Sequence, residues 1–100
     1  MKTSNTKLNA EQKSIRKDLK LEAKSRGWTI AENGVTTLIY ADKGNTMEFS
    51  MSVTSPDESK FRRKVGEYFA LRRFAYGESV KMQRADFWKM YVLFKMIDAE

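Results

Sequence analysis

Apolar residues recur along this chain with two periods, and the change from one to the other marks out its elements. From Ser55 to Gly77 the spacing is helical. At about 100° per residue, Phe61, Val65, Tyr68, Phe69, Ala75 and Tyr76 gather on one side, with Arg62, Arg63, Gly66, Ala70 and Arg73 roughly opposite. The ends agree. Ser55 fits the N-cap, Pro56 the first helical position, Glu58 can close a capping box, and Gly77 supplies a left-handed stop. Asp57 and Glu58 face the positive end of the helix dipole. This central helix is expected to lay Phe61, Val65 and Tyr68 on the rest of the fold. Gly66-x-x-x-Ala70 would then form a shallow outer groove that a neighbouring helix can approach. Arg72 falls by angle within the apolar face, where it can snorkel outward over the rings.

Upstream, Asn9 caps a helix, with Gln12 placed to complete the box, and Gly27 ends it. Ile15, Leu19 and Ala23 make a narrow apolar stripe. Lys13, Arg16, Lys17, Lys20 and Lys24 fall within one arc beside it, and Glu11, Asp18 and Glu22 on the other edge. From Trp28 the period drops to two. Trp28 to Ala31, Val35 to Ala41 and Met47 to Val53 predict three strands, joined by turns at Asn33-Gly34 and at Asp42-Lys43-Gly44-Asn45. The methionines of the third strand are expected as core filler. After the central helix, Glu78 to Met82 has no readable form. A last helix begins between Ser79 and Asp86 and runs to about Ala99. Phe87, Met90, Tyr91, Phe94 and Ile97 make one apolar face, and Trp88, Val92 and Met96 a second. The sheet takes the first face. The second is expected to meet a partner or another copy of the chain, unless the first helix covers it. The fold class is therefore α+β, in the order α-β-β-β-α-α, with residues 1–8 as a flexible N-terminus and residues 9–100 as one domain.

Charge adds a direction. The net +6 is unevenly spread: residues 1–27 carry +5, residues 28–59 carry −4, residues 60–84 carry +6 and the remainder −1. Two basic segments flanking an acidic middle suit an anionic partner. The chain has no cysteine and no histidine. The first removes disulfide and thiolate chemistry and fits a reducing cytoplasm; the second removes the commonest general base and transition-metal ligand. No apolar run is long enough to span a membrane, and the start lacks the apolar run of a secretion signal.

Three resemblances follow. The order helix, three strands, helix resembles the double-stranded RNA-binding domain. Ser59, Lys60, Arg62, Arg63 and Lys64 stand where that family has the basic cluster that spans phosphates. The acidic Asp57-Glu58 cap and the extra apolar helix depart from that pattern. The same order resembles the restriction-endonuclease-like core, with Asp42 and Glu48 cast as its metal-binding acids, but Glu48-Phe49-Ser50 lacks the lysine that activates water. The string Asp57-x-x-x-Phe61-x-Arg63-Lys64-x-Gly66-x-x-x-Ala70-x-x-Arg73 looks like that of small proteins encoded by tailed phages, which implies a short, cytosolic, non-catalytic accessory protein.

The expected function is accordingly a non-enzymatic protein, without metal or cofactor, that binds and modulates or inhibits a host macromolecule such as a defence or transcription complex. Direct nucleic-acid binding is the alternative, and a metal-dependent nuclease stands last. The candidate binding residues are Lys13, Arg16, Lys17, Lys20, Lys24, Lys60, Arg62, Arg63 and Arg73, with Trp88, Val92 and Met96 as the oligomer or partner contact.

Overall fold

In the computed structural model, which describes residues 8–53 and 63–96, the first helix (α1, Ala10–Arg26) starts and stops at its own signals. The Asn9 side chain accepts from the Gln12 amide at 2.8 Å, and the Gln12 side chain accepts from the Asn9 amide at 3.0 Å. Gly27 turns left-handed at φ 76°, which lets the Trp28 N–H return to the Ala23 carbonyl at 2.8 Å. Leu8, expected in the flexible N-terminus, is buried. The Ser55–Glu58 capping box, Lys60, Phe61, Arg62 and Ile97 lie outside the described residues.

Strands β1 (Thr29–Glu32), β2 (Thr36–Asp42) and β3 (Thr46–Val53) form the antiparallel meander that the period of two predicts. Each hairpin turns on two residues of which the first is glycine, Gly34-Val35 and Gly44-Asn45, with φ 89° and 93°. Asn33 therefore flanks its turn instead of entering it. Its side-chain oxygen accepts from the Val35 and Thr36 amides at 2.9 and 2.8 Å.

The stretch without readable form corrects the element count. Val80–Gln83 is a fourth strand, β4, antiparallel to β3 with Phe49 opposite Val80, and the sheet order is β1-β2-β3-β4. The class is α+β, as expected, but the order is α-β-β-β-α-β-α. The central helix (α2, Arg63–Ala75) and the last helix (α3, Arg84–Met96) lie on opposite faces of this sheet.

Strand parity sorts the core. Ile39 and Ala41 of β2 point to the face covered by α1 and α2, where they meet Leu19, Ala23, Ala70, Leu71 and Phe74. Leu38 of β2 and Met47 and Phe49 of β3 point to the other face, where they meet Phe87 and Phe94 of α3. The methionines Met47, Met51 and Met82 serve as core filler there. β2 is thus apolar on both sides. On the polar face of β3, Ser50 is buried under α2, and its hydroxyl donates to the Ala70 carbonyl at 2.8 Å.

α2 is turned the other way from the expectation. Gly66, Ala70, Leu71 and Phe74 are buried, whereas Val65 and Phe69 are only half-buried and Tyr76 is exposed. Tyr68 is buried as expected. The helix packs against both α1 and the sheet, and its small side chains allow the backbone close enough for the Ser50 hydrogen bond. The Gly66–Ala70 groove is an inner contact. Gly77, at φ 84°, ends the helix as expected, with the Glu78 N–H returning to the Arg73 carbonyl at 2.8 Å.

Two polar clips hold α3. At its C-terminal end Asn33 donates to the Phe94 carbonyl at 2.8 Å. At its start Arg84 pairs with Asp42 at 2.5 Å beside the β2–β3 turn, and the Gly44 N–H donates to the same carboxylate oxygen at 2.8 Å. The Arg84 hydrogen bond, then the Gly44 amide, hold the Asp42 carboxyl below its ordinary range. A depressed folded-state pKa gives stability that is present above the unfolded value and lost as pH falls through the folded one. The melting-temperature gap between wild type and Asp42→Asn should therefore be present at neutral pH and close on acidification below about pH 4. A gap that stays constant down to that range would show that the ionised carboxylate contributes nothing.

Candidate functional site

α1 and α2 lie side by side on one face of the sheet, and their charges are one-sided. Together they carry ten Lys/Arg against four acids, Glu11, Asp18, Glu22 and Glu67. Lys13, Lys17, Lys20 and Lys24 follow the i, i+4, i+7, i+11 positions that keep one line along a helix, so all four stand on one exposed flank of α1. No ion pair to Lys13, Lys17 or Lys24 occurs among the described residues. Lys20 reaches back to Glu67 at 3.5 Å.

Arg16, a candidate from the same arc, has a different task. It donates from Nη1 to Glu67 at 2.7 Å, with side-chain exposures of 13% and 8% for the two partners. This pair stitches α1 to α2 across the interior of the helix layer. Trp28, just past the end of α1, meets Phe74 of α2 edge-on at 4.7 Å. The two contacts come in the same order along the chain, so α1 and α2 run together in one sense, and α2 carries exposed Lys64 and Arg72 beside the lysine-bearing helix.

The remaining candidates divide. Arg63 is exposed and reaches Glu32 of β1 at 3.7 Å, a loose surface pair. Arg73 is exposed but tied by one nitrogen to the Met51 carbonyl at 2.6 Å, at the side of β3 that β4 leaves open. Arg72, expected to snorkel, does so: its guanidinium lies 5.9 Å from the Tyr68 ring and 5.6 Å from the Tyr76 ring. An open cleft of about 260 Å³ lies at this end of α2, lined by Phe69, Arg72, Arg73, Tyr76 and Glu78. Sequence reasoning missed the cleft because it placed Phe69 and Tyr76 inside.

On the far face of the sheet, α3 buries Phe87 and Phe94 and half-buries Met90 and Tyr91. Trp88, Val92 and Met96 stay exposed, at 37%, 56% and 72%. α1 does not cover them, since it packs on α2 across the sheet. Asp42 and Glu48, cast as metal-binding acids by one resemblance, are each engaged elsewhere: Asp42 with Arg84, and Glu48 with Lys43 at 3.6 Å and with the Ser79 hydroxyl. Among the described residues no group of three or more Asp or Glu is placed to hold a metal ion. No helix of the described residues is long and apolar enough to cross a membrane.

Set against known proteins, the chain matches no family model, no curated protein and no solved structure. Its own geometry carries the functional reading. On one side of the sheet a line of lysines runs along α1 from Lys13 to Lys24, and on the other side an apolar crest stands on α3.

Proposed function

We propose that this chain is a non-enzymatic binding protein that docks through its α1–α2 layer on an acidic surface of a host macromolecule and so alters it. It would act in the host cytoplasm, in the manner of the small accessory proteins of tailed phages that its central-helix pattern resembles. The observation that carries this reading is the exposed lysine flank Lys13, Lys17, Lys20 and Lys24, with exposed Lys64 and Arg72 on the helix packed beside it. Parallel charges on one flank repel one another, and a partner's carboxylates or phosphates offset that repulsion.

The test is capture from a nuclease-treated bacterial lysate by wild type and by the Lys13→Glu, Lys17→Glu, Lys24→Glu variant. The substituted positions are exposed, so the variant should keep its far-ultraviolet circular dichroism and melting temperature. It should lose the captured protein, and raised salt should release that protein from wild type. Capture that survives both the reversal and the salt would overturn the reading. A second reading, single-stranded nucleic acid, is favoured by the cleft at Phe69, Arg72, Arg73 and Tyr76, where arginine and aromatic faces lie together. It predicts that capture disappears on nuclease treatment and that the pure chain binds oligonucleotide with a steep inverse dependence on salt.

A further inference from the structure

The two faces of the sheet are covered unequally. Two helices lie on one side and α3 alone on the other. A helix with its side chains is about 10 Å across, whereas four strands span roughly 15–20 Å. One helix therefore leaves part of its face of the sheet open.

Contacts locate the open part. α3 starts at the β2–β3 turn, where Arg84 is clipped, and ends at the β1–β2 turn, where Asn33 holds Phe94. Trp88 and Tyr91 lean on Tyr40 of β2, at 5.8 and 5.7 Å between ring centres. The opposite flank, Met90 and Leu93, is thereby turned toward β3 and β4. There β4 stops after four residues while β3 continues to Val53, so Ser50–Val53 has no strand beyond it among the described residues. Parity puts Val53 on the α3 face with Met47, Phe49 and Met51, and the register puts Val80 there opposite Phe49. The result is a ridge and a trough side by side. Trp88, Val92 and Met96 form the crest of α3; Leu93, Val53 and Val80 line the trough.

Six of the eight exposed large hydrophobic residues among those described lie on this one side: Val53, Val80, Trp88, Val92, Leu93 and Met96, from 37% to 72% exposed. Together they present on the order of 600 Å² of apolar surface, the upper end for a monomer and close to the ~800 Å² that each partner gives to a standard interface. We propose that this side is the interface of a two-fold dimer, in which the α3 crest of each copy seats in the trough of the other.

Self-complementarity argues for a second copy as the occupant. A two-fold axis brings the same patch against itself, and a patch holding both a ridge and a trough satisfies both at once. Charge agrees. The cations concentrate on the α1–α2 layer, which the dimer turns outward on both sides. On α3 itself Arg84 is paired with Asp42, and Lys89, three, four and seven residues before Val92, Leu93 and Met96, borders the patch with exposed Asp86 one turn behind it to answer its charge. The second α3 would also give this face of each sheet the two-helix cover that the other face has.

Sedimentation velocity of the full chain over a concentration series tests this independently of what the cationic layer binds. Wild type should sediment at twice its 11.6 kDa. Val92→Glu should weaken the dimer by about a hundredfold or more, the scale of an unpaired charge buried in an interface, with circular dichroism unchanged. Leu93→Gln, a milder change in the trough, should weaken it in the same direction. A wild type that stays monomeric throughout overturns the proposal. A dimer that survives both substitutions in folded variants overturns it as well.

Discussion

Replacing Phe87 by alanine should cost about 4 kcal/mol of stability, enough to threaten a domain of this size. Phe87 is completely buried, and its ring is the hub of the α3 side of the core. It lies 5.2 Å from Tyr40, 5.7 Å from Phe49, 5.0 Å from Trp88 and 6.2 Å from Tyr91. Phe49 belongs to β3 and Tyr40 to β2, so this one side chain ties α3 to both central strands. A cavity there cannot close easily, because Tyr40 and Tyr91 are locked by further ring contacts and α3 is clipped at both ends. Urea denaturation should show the midpoint falling sharply. Near-ultraviolet circular dichroism should lose much of its aromatic signal before the far-ultraviolet signal falls. A loss below about 1 kcal/mol would mean that α3 is held mainly by its clips and not by the ring cluster.

Arg16→Ala should cost about 3 kcal/mol, although Arg16 belongs by sequence to a solvated basic stripe. Its removal strands the Glu67 carboxylate in the α1–α2 interior with only Lys20, 3.5 Å away and half in water. Burying a charge without its partner costs more than the pair ever contributed. The companion experiment makes that visible. Arg16→Met with Glu67→Leu removes both charges and keeps the volume, and should recover most of the lost stability. A double variant as weak as the single one would mean that shape, not charge, holds this contact. Arg16→Ala is therefore a poor probe of binding, because any loss of partner would be confounded with loss of fold.

These two residues show where sequence reasoning reached and where it stopped. Features that depend on neighbours in the chain were legible: the Asn9–Gln12 box, the Gly27 and Gly77 stops, and the alternation of β3. So was the leftover crest of α3, because two apolar faces on one helix cannot both meet one sheet. β4 escaped because Val80–Gln83 is too short to establish a period, although Val80 and Met82 do alternate with Lys81 and Gln83. Side-chain size points α2 the wrong way, since it favours Val65 and Tyr76 over Gly66 and Ala70 for the inside. In a helix packed against both a second helix and a sheet, closeness of approach matters more, so Gly66 and Ala70 go inside, Val65 is left half-buried and Tyr76 points outward.

Arg16 marks the deeper limit. It lies at the border of the basic arc and the apolar stripe, and what moves it inside is Glu67, 51 residues away. Nothing local announces such a pair. The same applies to the cleft at Arg72 and Arg73, whose walls come together only once α2 is turned correctly. The lysine flank of α1 needed no such information, since a straight line of charges on a capped helix follows from spacing alone.

The central claim is that the α1–α2 layer is the docking surface, and an amide chemical-shift titration with a short poly-glutamate peptide tests it most directly. The predicted result is a set of shifts confined to α1 around Lys13, Lys17, Lys20 and Lys24 and to Lys64 and Arg72 of α2, reversed by salt, with the amides of α3 unmoved. Shifts centred on α3, or none at low salt, would contradict it.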